Sequence, residues 1–237
     1  MKISAATRCG CDKSASDDRI LVGGNILCCE ELCCDIEPPF ALGISDGVGG
    51  NAGGDIAAQY VCERLSLCNC ENLQDEISEI NSGLLALAKK TPGKEKMAAT
   101  YSGVFLCENQ PGKLLHIGNT RVYAIQGGYL KQLTSDMTSY NYYMSLGRTQ
   151  EAEQCSRSEI TACFGGGTSS LFRPQILDLS GGGLLMTSDG VHDFLDIDML
   201  EGIISAAESD IAACREIISR ALAAGSEDDM SVVIARI

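Results

Sequence analysis

Two apolar runs in this chain end the same way. Phe40-Ala41-Leu42-Gly43-Ile44-Ser45 is followed by Asp46-Gly47, and Leu184-Leu185-Met186-Thr187-Ser188 by Asp189-Gly190. A short apolar run closed by a turn signal reads as a buried strand. In each case the aspartate stands at the strand tip, and the glycine lets the backbone turn sharply and expose a carbonyl oxygen. Two further acidic groups precede strand-like runs: Asp17-Asp18 before Arg19-Ile20-Leu21-Val22, and Glu227-Asp228-Asp229 before Met230-Ser231-Val232-Val233. One Asp-Gly pair alone is more often a plain turn. Four acidic groups at strand ends describe a fold whose strand ends share one edge. Carboxylates that converge repel and raise one another's pKa, so such an edge calls for a cation.

The rest of the pattern sets the fold class. Strand-like runs fall at 20–28, 40–45, 102–107, 114–117, 121–125, 129–133, 184–187 and 231–237. Turns at Gln126-Gly127-Gly128 and from Asn109 to Gly112 read as hairpins, hence antiparallel pairing. Apolar residues three and four apart mark helices at 54–67, 73–89, 199–207 and 211–223. Hairpin-linked strands with helices in pairs predict an α+β fold, two mostly antiparallel sheets flanked by helix pairs in an α-β-β-α sandwich. At 237 residues the chain fits a single domain. The stretch 135–174 has weak periodicity and reads as a small flap.

Composition removes several classes of function. The 18 Lys+Arg against 32 Asp+Glu give a formal charge of -14, which repels duplex nucleic acid and anionic membrane. No stretch is apolar enough for a secretory leader or a membrane span, so a cytoplasmic location is expected. The 13 cysteines are odd in number and contain no C-x2-C pair. Neither a full disulfide framework nor a standard zinc spacing is supported, and a reducing cytosol fits. Cys28-Cys29 and Cys33-Cys34 form the densest cluster and read as ordinary packing. Two histidines, His116 and His192, leave little room for a histidine-based site. The chemistry must then rest on carboxylates. All-oxygen ligands suit Mn²⁺ or Mg²⁺, and a pair of such ions supports hydrolysis of a phosphate ester.

These residues carry a resemblance that spans nearly the whole chain. Lys13-Ser14-Ala15-Ser16-Asp17-Asp18, Ser45-Asp46-Gly47-Val48-Gly49-Gly50, Met97-Ala98-Ala99-Thr100, Gly118-Asn119-Thr120-Arg121, Leu133-Thr134-Ser135-Asp136, Leu146-Gly147, Ser188-Asp189-Gly190-Val191-His192-Asp193 and Asp228-Asp229-Met230-Ser231 follow one another in order. In that order they resemble the motifs of protein phosphatase 2C, the metal-dependent serine/threonine phosphatases, in compact bacterial form. The resemblance implies two metals at one edge of the sandwich, with the option of a third. Asp46 would bridge the pair, Gly47 would ligate through its carbonyl, and Asp189 and Asp228 would complete a shell; these aspartates are the expected catalytic residues. Asp17 and Asp18 would hold metal-bound waters, and Lys13 would bind the substrate phosphate. A hydroxide bridging the metals would attack phosphorus in line, and His192 is a candidate proton donor to the leaving alkoxide. The implied partners are phosphoserine and phosphothreonine proteins and a serine/threonine kinase sharing those substrates, with the chain a monomer.

Four positions depart from the family pattern. Lys13 stands for an arginine, Asn119 for an aspartate, Asp229 for an asparagine and Met137 for a histidine. A lysine meets phosphate as a point charge rather than a planar fork. Asn119, with Asp193 opposite, would make the third metal site weak or absent. The alternative is a non-catalytic phosphoprotein-binding or regulatory module on the same fold; retention of Asp46, Asp189 and Asp228 argues against it. Other signals are weaker. Gly47 to Ala52 satisfies G-x-G-x-x-A, but Asp46 beside it would repel a pyrophosphate. Asp196 to Gly202 reads as a helix start rather than a calcium loop, and Gly165 to Thr168 as a turn.

Overall fold

A computed structural model describes residues 1–11, 13–49, 52–108, 110–167, 171–179 and 181–236. Gly50 and Asn51 of the glycine-rich turn, Asn109, Thr168 and Ile237 lie outside the described residues. Two six-stranded sheets carry the architecture. The first runs β10 (Tyr129–Gln132), β9 (Arg121–Gln126), β13 (Gly183–Thr187), β14 (Met230–Arg236), β1 (Lys2–Arg8), β4 (Glu31–Asp35). The second runs β12 (Gln175–Asp178), β8 (Lys113–Ile117), β7 (Tyr101–Leu106), β5 (Phe40–Ser45), β2 (Arg19–Val22), β3 (Asn25–Leu27). Neighbours pair antiparallel in both sheets. A short ladder joins β6 (Ala98–Ala99) to β11 (Phe164–Gly165).

Helices α1 (Gly54–Leu65) and α2 (Leu73–Lys90) cover the second sheet, packing Ala57, Val61, Ile77 and Leu84 on Tyr101, Leu115 and Ile117. Helices α6 (Ile197–Ala206) and α7 (Asp210–Ala223) cover the first, with Cys214, Ile217 and Ala221 on Leu185, Val232 and Ile234. Between the sheets lie Ile3, Ile20, Leu42, Ile44, Val104, Met186 and Val233. The four-layer sandwich expected from the pattern is therefore what forms. Strand β14 shows why its sequence reads as one apolar run: Val233 and Ala235 face the opposite sheet while Val232 and Ile234 face the helices. Both faces are buried. The stretch 135–174 carries α3 (Ser139–Ser145), whose first turn is capped by Thr138, and α4 (Thr149–Ala152). Asp196 caps α6 by accepting the Met199 N–H, as a helix start should. A one-turn helix, α5 (Asp189–His192), follows β13.

Several elements differ from expectation. The run 20–28 is a hairpin, broken at Gly23, which takes φ 59. Strands β1, β4 and β12 carry no strong sequence signal: β1 is built on small residues, and β4 and β12 are edge strands with exposed polar faces. One pair of cysteines, Cys70 and Cys107, is joined as a disulfide, while the cysteines at 28, 29, 33 and 34 are free. Sequence spacing does not reveal that bridge, because it depends on the α1–α2 connection folding back beside the end of β7.

The inter-sheet layer sets a stability test. Leu42, with no exposure, should lose about 2–5 kcal/mol on change to alanine. Leu67, 75% exposed, should lose no more than about 0.5 kcal/mol. Urea denaturation measures both, and similar losses would contradict this layering.

Candidate metal centre

Strand registers bring the acidic groups to one edge. Arg8 pairs with Met230, Thr187 with both Val232 and Arg121, and Ser45 with Arg19. The ends of β1, β5 and β13 therefore meet the beginnings of β2, β9 and β14. The connections at that edge carry Lys13, Asp17 and Asp18 (β1 to β2), Asp46 and Gly47 (after β5), Asn119 (β8 to β9), Asp189 (after β13), and Asp228 and Asp229 (before β14).

Each backbone is pinned where its carboxylate must point. The Thr100 N–H donates to Asp46 O at 2.8 Å, and the Gly47 N–H donates to Asp17 O at 3.2 Å. A Cβ on Gly47 would sit 2.5–2.7 Å from the Gly54 backbone, so only glycine allows β5 to meet the start of α1 here. Asp18 is buried; its Oδ2 lies 2.7 Å from Ser231 Oγ, which lies 2.9 Å from Thr7 Oγ1, stitching the two sheets together. Its Oδ1 has no hydrogen-bond partner among the described residues. Asn119 donates from Nδ2 to Asp189 Oδ2 at 2.9 Å, and its own buried Oδ1 has no partner among the described residues.

Asp229, which the sequence marks as a strand-end acid and as a departure from the family pattern, organises the edge. It is 2% exposed and accepts the Gly10 N–H and the Asp17 N–H, each at 2.7 Å. Lys13 Nζ lies 3.0 Å from its Oδ2 and 2.6 Å from Asp228 Oδ1. Burial disfavours that ammonium, yet its hydrogen bonds to Asp228 and Asp229 hold its pKa well above the ordinary lysine value. Two of the departures, Lys13 and Asp229, thus form a matched pair.

The remaining acids feel one another. Burial, and then the charges of Asp189, Asp18, Asp228 and Asp229, push Asp46 well above the usual carboxylate range. Burial pushes Asp18 up to about 7. Burial and the Asp228 charge push Asp189 up to about 6, opposed by the Asn119 hydrogen bond. Asp17 and Asp193 are raised too, chiefly by burial. His192 is different: its Nδ1 lies 2.8 Å from Thr187 Oγ1, and burial drives its pKa well below the usual value. His116 is a buried joint between Ser102 Oγ at 2.7 Å and the Ser135 carbonyl at 2.9 Å. Asp136 is an anchor, clamped by Arg121 in a two-pronged ion pair at 2.7–3.2 Å.

The donor chemistry fits a hard divalent cation. The groups are carboxylate, amide and backbone oxygens; Asp18 and Asn119 each hold a buried oxygen without a partner among the described residues, and the raised acids mark charge awaiting a counterion. Among the described residues no three carboxylate, thiol or imidazole groups yet close around an ion. Instead, the Lys13 ammonium neutralises Asp228 and Asp229.

No family model matches the chain. The serine/threonine protein phosphatase PstP of Mycobacterium tuberculosis is 28% identical over 205 residues, 82% of this chain and 40% of its own length. The present chain thus spans well under half of that relative. The crystal structure of the Mycobacterium tuberculosis serine/threonine phosphatase PstP/Ppp superposes with a TM-score of 0.79 at 23% identity, covering 100% of this chain and 99% of that one. The catalytic domain of PstP in complex with two manganese ions gives 0.74 at 22% identity, covering 100% and 99%. The fold is that of the bacterial serine/threonine phosphatases. The resemblance to the protein phosphatase 2C family drawn from the ordered motifs is borne out.

The raised acids predict how the metal-free chain responds to pH. An acid whose pKa is higher in the fold than in the unfolded chain keeps its proton on folding, so stability is lost as pH rises through the folded value. Asp18 and Asp189 place that loss between about 4, the free-carboxylate value, and about 7. In chelator, the melting temperature should fall as pH rises from 5 to 8, and Asp46→Asn should melt no lower than wild type. Saturating Mn²⁺ should flatten the dependence. A melting temperature that climbs across this window in chelator would contradict the clustered-charge account.

Proposed function

We propose that the chain is a metal-dependent phosphatase of phosphoserine and phosphothreonine in proteins. The observation that carries this reading is the gathering of Asp18, Asp46, Asp189, Asp228 and Asp229 at one sandwich edge, where burial and neighbouring charges raise Asp18, Asp46 and Asp189. The similarity to PstP, one of whose structures holds two manganese ions, supports it. Two Mn²⁺ or Mg²⁺ ions held there would supply Lewis acidity toward a phosphoryl group and water ionised near neutral pH. Asp46, Gly47 through its carbonyl, Asp189 and Asp228 would hold the ions directly; Asp17 and Asp18 would act through water. The Asn119 Oδ1, with Asp193, is the place for a third and weaker ion.

Lys13 would exchange partners. With Asp228 serving as a metal ligand, the Lys13 ammonium would be free of it and could meet a phosphate within reach of the same segment. A polar cleft of about 640 Å³ beside the centre, lined by Arg121, Asp136, Tyr140, Arg157, His192 and Asp193, offers cationic groups for the rest of a phosphopeptide. The partners are phosphoserine and phosphothreonine proteins and the kinase that makes them, and the chain acts as a monomer in the cytoplasm. Among the described residues no helix is long and apolar enough to cross a membrane.

An aryl phosphate should be hydrolysed with Mn²⁺ or Mg²⁺ and not in excess chelator. Asp46→Ala and Asp189→Ala should each remove most turnover, and Asp136→Ala less, because it breaks an anchor rather than a ligand. Turnover that survives chelator, or equal losses at all three positions, would refute the assignment. Asn119→Asp should add a manganese ion to the count in calorimetry and raise turnover at limiting metal, since a carboxylate attracts a hard cation more strongly than an amide. An unchanged count and an unchanged metal dependence would remove the third site from this reading.

A further inference from the structure

Asp229 ties the segment after β1 to the turn before β14. It is buried and stands one residue ahead of that strand. Its Oδ1 accepts the Gly10 N–H at 2.7 Å, and its Oδ2 accepts the Asp17 N–H at 2.7 Å and lies 3.0 Å from Lys13 Nζ. One carboxylate therefore grips both ends and the middle of the segment 10–17. The approach has a steric condition: a Cβ on Gly10 would collide with the Glu227 carbonyl, whose oxygen accepts the Cys11 N–H at 3.0 Å. A buried carboxylate is costly unless it is hydrogen-bonded and its charge is met. Here two amides and an ammonium do both. An asparagine could not, since its own amide donors would face one of these donors.

Asp228 holds the same ammonium differently. Its side chain is 54% exposed, and its Oδ1 takes both Lys13 Nζ at 2.6 Å and the Asp229 N–H at 2.8 Å. Asp17 Oδ2, 3.9 Å from Nζ, is beyond hydrogen-bond reach. Lys13 thus has two hydrogen-bonded carboxylate partners, one open to solvent and needed as a metal ligand, the other buried and already engaged by two backbone amides. Only the second can keep its hold while the site works. An ammonium has three donors, so a bond to Asp229 leaves two for a phosphate. Lys13 is partly exposed whereas Asp229 is covered, so an incoming anion meets the ammonium and not the carboxylate behind it.

We propose that Asp229 is the positioning residue for Lys13, holding its ammonium ready for the substrate phosphate when Asp228 is engaged elsewhere; this rests on the phosphatase reading. A lysine stem is flexible, and ordering one such side chain only when substrate arrives weakens binding by roughly two- to tenfold. Asp229 orders it beforehand. The lysine and the aspartate, both departures from the family pattern, then act as one unit.

Two measurements test this. In chelator, the ¹H–¹⁵N spectrum of the lysine side chains should contain a slowly exchanging ammonium signal that Lys13→Met removes. The signal should persist in Asp228→Asn and vanish in Asp229→Asn. Its absence from wild type, its loss in Asp228→Asn or its survival in Asp229→Asn would each overturn the tether, and the Asp228→Asn arm decides even if Asp229→Asn does not fold. With Mn²⁺, Asp229→Asn should raise KM for an aryl phosphate severalfold, and the dissociation constant of inorganic phosphate in calorimetry by a like factor. The turnover number should stay within about twofold and the manganese count should not change, because the ammonium holds ground and transition states alike. Lys13→Met should raise both constants at least as far, and adding Asp229→Asn to it should move neither further. An unchanged KM, or losses that add in the double variant, would overturn action through Lys13. If wild type hydrolyses nothing with metal, the phosphatase reading fails while the ammonium spectrum still decides the tether.

Discussion

Like charges gathered at one edge repel, and much of this architecture can be understood as the means of holding them there. Asp46 comes from the second sheet and Asp189 from the first, so neither sheet alone could bring them together. The Thr7–Ser231–Asp18 contacts bind the two sheets at the point where repulsion would spread them. The apolar layer between the sheets, with Ile20, Leu42, Ile44 and Val233 fully buried, supplies the cohesion behind the edge. A pair of strand-end aspartates on a less deeply packed scaffold would relax apart or protonate.

The chain also carries its own countercharge. Lys13 reaches Asp228 and Asp229, and Asp229 in turn fixes the Gly10 and Asp17 amides. The same residues thus keep the site assembled without metal and hold the ammonium close to where a phosphate would be gripped. Breaking one member of such a buried set leaves the others uncompensated, which makes the set more demanding than any single bond in it.

Much of this was legible in the residues. Apolar runs ending in Asp-Gly mark the positions of Asp46 and Asp189 because strand burial and turn chemistry are both local. The four long helices show their periodicity for the same reason. Asp229 was legible as a strand-end acid, but its anchoring role was hidden, because only the folded chain brings the Gly10 and Asp17 amides to it. β1 was hidden because its buried face uses Ser4, Ala5, Ala6 and Thr7, too small to read as an apolar run. The Cys70–Cys107 bridge was hidden too, since it depends on distant segments meeting.

The pairing of Lys2 with Arg236 sets an order of events for folding. β14 lies between β13 and β1, so the first sheet stays in two pieces until strands more than two hundred residues apart find each other. Closing so long a loop comes late and slowly, because its entropy is lost before its contacts reward it. Lys13 follows β1 and Asp228 precedes β14, so the same closure that completes the sheet brings the ammonium to its carboxylates. Affinity for a divalent cation would then appear only with this final contact, and metal uptake during refolding would report the last step rather than an early collapse.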